Sequence, residues 1–147
     1  MDKSQVREKL SSLFISQKLA VLATNNEGQP YNCLVAIAST EDSKYLLFCT
    51  SRSKRKYREL KTDPRVSILV DNRSNIESDF NNAEAVTALG RAIETQGFER
   101  DRLADIYLKK HPYLASFANS QDTALIRIDV NKYVISSFKD VQTLQLD

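Results

Sequence analysis

The sequence predicts an α+β fold: a β-barrel of six to seven mostly antiparallel strands with helices packed on its outside. Two observations predict it. Short apolar or alternating runs recur along the chain at Leu19–Thr24, Tyr31–Ser39, 44–50, Val66–Val70, Ala85–Glu94, Leu125–Val130 and Tyr133–Ser136, with turn-forming residues between them. Only two or three stretches carry the wider apolar spacing of a helix. No internal repeat, low-complexity tract or linker interrupts the pattern, so residues 1–147 read as a single domain.

Residues 4–18 open as a helix, with Ser4 as the candidate N-cap and Val6, Leu10, Leu13 and Phe14 on one face. The run from Leu19 then meets Asn25-Asn26-Glu27-Gly28, a hairpin turn signal that leads into the second strand at Tyr31. Glu41-Asp42-Ser43 turns into the third strand. A basic loop and a short helix to about Lys61 follow, closed by Asp63-Pro64. Asp71 to Asn82 is rich in Asn, Ser and Asp and reads as a loop. Gly90 inside the fifth strand points to a bulge or a close backbone approach. Phe98 to Lys110 is helical, with Phe98, Leu103, Ile106 and Tyr107 as its apolar face. The last two strands are expected to be joined by a compact turn at Asn131-Lys132.

Composition narrows the function classes. The 21 basic and 19 acidic residues nearly cancel, which argues against a general nucleic-acid binder. No apolar run approaches the roughly 20 residues that span a bilayer, and the N-terminus is polar, so a cytoplasmic location is expected. Cys33 and Cys49 lack metal-site spacing and are expected to be buried free thiols, with no metal bound; a disulfide between them is the alternative. His111 is the sole histidine and sits before Pro112, which suggests a surface role at a helix end rather than catalysis. No nucleophile motif accompanies it, so the catalytic residues are unknown.

The segment Cys49-Thr50-Ser51-Arg52-Ser53-Lys54-Arg55-Lys56-Tyr57 concentrates the chemistry. It lies between a strand and a helix start, where free backbone N–H groups and the helix dipole favour an anion. A phosphate suits that environment; a solvated basic loop is the alternative.

Three segments carry a resemblance. They are Gly28-Gln29-Pro30-Tyr31, then Thr50 through Leu60 running on into Asp63-Pro64-Arg65-Val66-Ser67-Ile68-Leu69, then Leu89-Gly90-Arg91-Ala92-Ile93-Glu94. In this order and spacing the chain resembles the pyridoxamine 5'-phosphate oxidase-like family of FMN-binding split barrels. The resemblance implies a homodimer with FMN in the groove between subunits. It implies that Cys49, Thr50, Arg55 and Lys56 hold the flavin phosphate, with Ser51 and Ser53 as additional donors. Arg52, Lys54 and Arg58 are expected to be mostly surface charge. Strand residues including Asn32 and Cys33 would pass the flavin ring. Asn72 and Arg73, expected close to the phosphate-binding helix, are candidates for reaching the flavin; an Asx-rich loop holding its own turns is the alternative.

The departures matter as much as the matches. In the vitamin-processing enzymes an arginine matches Cys33, a substrate-phosphate lysine matches Ala38, and a late Arg-His motif follows; the run Tyr133 to Phe138 has no such pair. The expectation is an FMN-binding oxidoreductase-like protein that does not process a phosphorylated vitamin, with a small-molecule electron donor and acceptor. The alternatives are a deazaflavin-dependent reductase and a non-catalytic flavin- or haem-binding module, for which His111 is the only imidazole ligand available.

Overall fold

The computed structural model describes residues 2–146. Helix α1 spans Lys3–Ser16 and buries Val6, Leu10, Leu13 and Phe14, the face that the spacing marks. Asp2, not Ser4, caps it. The Asp2 carboxylate accepts from the Gln5 N–H at 2.9 Å, and the Gln5 side chain accepts from the Asp2 N–H at 2.9 Å. Two orphan donors are thereby satisfied reciprocally, which a cap at Ser4 could not match.

Eight strands follow among the described residues, all antiparallel to their neighbours: β1 (Leu19–Asn26), β2 (Gln29–Ala36), β3 (Ala38–Ser39), β4 (Tyr45–Ser51), β5 (Arg65–Asp71), β6 (Glu84–Glu94), β7 (Thr123–Ser137) and β8 (Val141–Gln145). Helix α2 (Arg55–Thr62) precedes β5, the short α3 (Asp79–Asn82) precedes β6, and α4 (Gly97–Lys110) with α5 (Ala115–Ala118) precedes β7. The sheet order is β2-β1-β5-β6-β7-β4-β3, with β8 added to β7. Glu27 and Gly28, both at positive φ, make the β1–β2 turn, as the Asn-Asn-Glu-Gly signal predicts.

The consecutive strands β2 and β3 lie at opposite edges of this sheet. The chain crosses between those edges at Ile37, so the sheet must curl until its edges meet. This is the half-barrel that the strand pattern predicts. The expected strand from Tyr31 to Ser39 is therefore two strands. Groups at the break leave the sheet and find other partners. The Tyr107 hydroxyl donates to the Ala36 carbonyl at 3.0 Å, His111 Nε2 lies 2.8 Å from the Ile37 carbonyl, and the Ile37 N–H donates to Lys18.

His111 is thus fully buried, not at the surface as its position before a proline suggests. Burial holds its pKa below the ordinary value, and Lys110 and Lys18 add to that against the Ile37 hydrogen bond. Lys110 donates to the carbonyls of Phe14 and Gln17 at the end of α1, and burial lowers its pKa to about 8. Three residues at the end of α4 thereby bind α1 and the strand break together.

The expected turn at Asn131-Lys132 does not exist. Strand β7 runs unbroken through it, and the pairing with β6 steps from Leu89↔Lys132 to Gly90↔Val130. Asn131 is the extra residue of a bulge, and its carbonyl accepts from the N–H of Leu146 at 2.9 Å. Gly90 faces this bulge, as the lone glycine predicts. Phe98 is also not on the buried face of α4: it is 85% exposed, while Leu103, Ala104 and Tyr107 pack inward.

One apolar cluster fills the curl of the sheet, with Leu22, Phe48, Ile68, Val86, Ile128 and Tyr133 among its members. A second lies between β4 and α4 and includes Leu47, Cys49, Leu103, Tyr107 and Leu125. Strand β4 is covered on both faces, which explains its unbroken apolar run. The convex face of β2, β1, β5 and β6 has no such cover. There Leu34, Val21, Leu69 and Thr87 lie side by side across the four strands, and Asn32, Ala23, Ser67 and Leu89 form the next row. Neither row holds a charged residue, and Leu34 is 64% exposed. No helix of the described residues is long and apolar enough to cross a membrane.

Candidate functional site: the basic strand-to-helix loop

Helix α2 begins at Arg55 without a side-chain cap at Lys54 and without an acidic residue in its first turn. Its orphan N–H groups and its dipole therefore present partial positive charge to the loop. The cations around it divide into those that are engaged and those that are not.

Arg52 is engaged. It donates to Glu94 through Nε (3.2 Å) and Nη2 (2.7 Å) and to the Gln121 carbonyl through Nη1. The Tyr57 hydroxyl and Lys61 also reach Glu94, at 2.7 and 2.9 Å. Burial alone would raise the Glu94 carboxyl, but these donors hold it at about 2. The cluster straps the loop and α2 onto β6. Arg52 is therefore a structural clamp rather than loose surface charge. Arg58 donates to the Ser53 carbonyl at 2.9 Å.

Arg55 is engaged as well. Its Nε donates to Glu59 at 2.6 Å, and its guanidinium lies 3.9 Å from the centroid of the Tyr31 ring. Glu59 is buried and also accepts from the Thr24 hydroxyl. These two donors hold its carboxyl below the usual range against burial. Arg55 thus joins α2 to β1 and β2 and retains its other guanidinium nitrogens for a ligand.

Lys54 and Lys56 form no ion pair among the described residues. Lys56 faces Cys33, whose half-buried thiol is raised by burial and pulled back in part by the lysine. An unpaired ammonium beside an uncapped helix start is the donor set that a phosphate requires.

The other expected phosphate ligands are less available. The Cys49 thiol is buried in the cluster against α4, and burial pushes its pKa to about 12, so it is closed to a ligand. Thr50 is buried, with its hydroxyl 3.3 Å from the Ser51 carbonyl. The Ser51 hydroxyl donates to Asp122 and lies 2.8 Å from that of Ser53. Strand alternation splits the β2 candidates. Tyr31 and Cys33 face α2, whereas Asn32 and Leu34 lie on the convex face.

Asn72 and Arg73 are not close to helix α2, where the sequence places them. They follow the far end of β5, roughly 20 Å away by the rise of a seven-residue strand. Asn72 exchanges hydrogen bonds with Glu84 through its N–H (3.2 Å) and its side-chain carbonyl (2.8 Å). Arg73 pairs with Asp71 at 3.1 Å. The loop 71–83 instead walls a cavity of about 780 Å³ that opens from the end of the convex face. Ile76, Phe80 and Phe138 line it, and sequence reasoning missed all three. The available signal was a large apolar residue inside an otherwise polar loop. Among the described residues, no group of three or more His, Cys, Asp or Glu side chains is placed to hold a metal ion.

A curled antiparallel half-barrel with a basic loop at a strand end defines the class of split-barrel proteins. The profile of the pyridoxamine 5'-phosphate oxidase family matches residues 6–135, and the chain belongs to that family. No curated protein matches. Solved structures share the fold at low identity. A heme binding protein from Mycobacterium smegmatis is 20% identical with a TM-score of 0.83, over 94% of this chain and 57% of its own. The chain therefore spans little more than half the length of that protein. General Stress Protein 26 from Bacillus anthracis is 16% identical with a TM-score of 0.75, over 97% of this chain and 99% of its own. A FAD-binding protein from Mesorhizobium loti is 16% identical with a TM-score of 0.71, over 95% and 94%.

Proposed function

We propose that the protein is an FMN-binding, oxidoreductase-like member of this family that works as a homodimer, with the flavin at the subunit interface. The observation that carries the reading is the uncapped start of α2 with Lys56 beside it and unpaired. A flavin phosphate there would accept from the helix N–H groups, from Lys56 and from the free nitrogens of Arg55. The bound flavin would supply the redox chemistry. The chain would fix the phosphate, pass the backbone of β2 along the ring and exclude water from one of its sides. The sole imidazole is fully buried against Ile37, which favours a flavin over a haem that needs His111 as its ligand.

The two uncharged rows of the convex face support the dimer, because a solvent-facing sheet surface that carries Leu34, Val21, Leu69 and Leu89 is ordinarily covered. Pairing of two such faces about a two-fold axis would bring one subunit's loop 71–83 towards its partner's phosphate loop, which no single chain can do. Cys33 and Ala38 stand where the vitamin-processing enzymes carry cations, so a phosphorylated vitamin finds no second anion site. Light scattering at micromolar protein with saturating FMN tests the reading. The expected result is a dimer mass, with one flavin per chain in the absorbance spectrum. A monomer mass at flavin saturation contradicts it.

A further inference from the structure

We propose that the cavity behind loop 71–83 is a binding site for a planar apolar molecule, neutral or cationic, that carries no phosphate or carboxylate. It rests on the flavin reading only in making that molecule the flavin's reaction partner. The cavity's 780 Å³ is ample for a two- or three-ring compound.

Its apolar wall is aromatic and exposed. The Phe80 and Phe138 rings meet edge to face, 5.1 Å between centroids at 79°, and are 56% and 74% exposed; Ile76 beside them is 59% exposed. Two phenyl rings held in this arrangement in water leave their free faces available for a third ring to stack. They come from different parts of the chain, the loop before β6 and the end of β7, so the pair also fixes the width of the opening.

The electrostatics select against anions. Four carboxylates line the cavity, those of Asp71, Glu77, Asp79 and Glu84, against one cation, Arg73. Arg73 is already bound to Asp71. Asp79 accepts from the N–H groups of Ser74 and Asn75, and Glu84 pairs with Lys9. Glu77 lines the cavity and forms no ion pair among the described residues. An entering phosphate or carboxylate would meet repulsion and no free cation, whereas a neutral or ammonium-bearing ring would not.

Calorimetric titration of the protein tests this with three probes that share one ring system: naphthalenemethanol, naphthylmethylammonium and naphthoate. Each is titrated with and without FMN, whose own binding is followed by absorbance. The alcohol and the ammonium compound are expected to bind, and naphthoate at least about tenfold more weakly. Phe138→Ala, at an exposed position, should weaken the alcohol about tenfold and leave the circular dichroism spectrum unchanged. Naphthoate binding as tightly as the alcohol, no binding by any probe, or an unchanged Phe138→Ala affinity each overturns the proposal. Probe binding without FMN binding would support the site and remove the flavin reading; FMN binding without probe binding would do the reverse.

Discussion

Replacement of Gly90 by alanine is expected to lower stability by about 2–4 kcal/mol, the range of a substitution that forces the backbone to move. A Cβ at this position would lie 2.3 Å from the Asp129 carbonyl oxygen and 3.0 Å from its carbon. Both are main-chain atoms, so no side chain can swing away. The strands must separate where the register steps around Asn131. For a domain of this length the loss corresponds to a midpoint shift of roughly 5–15 °C. Thermal unfolding followed by circular dichroism checks it. A shift below a degree or two would mean that β6 and β7 are not this close.

The largest effect on assembly is expected from Leu34→Asp. Leu34 lies on the convex face beside Val21 and is exposed in the single chain, so the substitution should leave the protomer fold intact. In the proposed dimer it places a carboxylate within the interface without a partner, which typically costs about 2–5 kcal/mol. The variant should therefore be monomeric at micromolar concentration. Its flavin affinity should fall with the dimer, because in the proposed assembly the second wall of the groove would belong to the partner. Size-exclusion chromatography with light scattering reads the first effect and an FMN titration the second. A dimeric Leu34→Asp protein with native FMN affinity would place the interface elsewhere.

The curled antiparallel sheet was legible because its strands announce themselves locally. The apolar runs of β1 and β5, the Asn25–Gly28 turn signal and the lone Gly90 each depend on near neighbours. The errors arose where distant residues decide the outcome. Asn131-Lys132 has the composition of a turn, but partners on both sides of β7 hold it in a bulge. Strand β8 carries Gln142, Thr143 and Gln145 at an edge, a composition that does not separate a strand from a loop. The burial of His111 depends on the Ile37 carbonyl, which is free only because β2 and β3 part there.

The site divides along the same line. The basic strand-to-helix loop was visible as a charge pattern, and its free helix start followed from its position. Which cations remain unpaired was not visible. Arg52 is claimed by Glu94 and Arg55 in part by Glu59, both contacts across elements. The separation of Asn72 and Arg73 from the loop follows from the direction of β5. It leaves Asn72 and Arg73 a strand's length from the basic loop, and only in the proposed dimer would a partner chain bring the two together.

The central claim is that the loop before α2 reads a flavin phosphate. Comparison of FMN with riboflavin, which lacks only the phosphate, measures it most directly. The native protein should bind FMN at least roughly ten- to hundredfold more tightly, the worth of a single charge-assisted hydrogen bond. Lys56→Ala should remove most of that preference without changing stability. Arg55→Ala should remove part of it and also lower stability, because it strands the buried Glu59 carboxylate. Equal affinities for FMN and riboflavin in the native protein, or an unchanged preference in Lys56→Ala, would contradict the account.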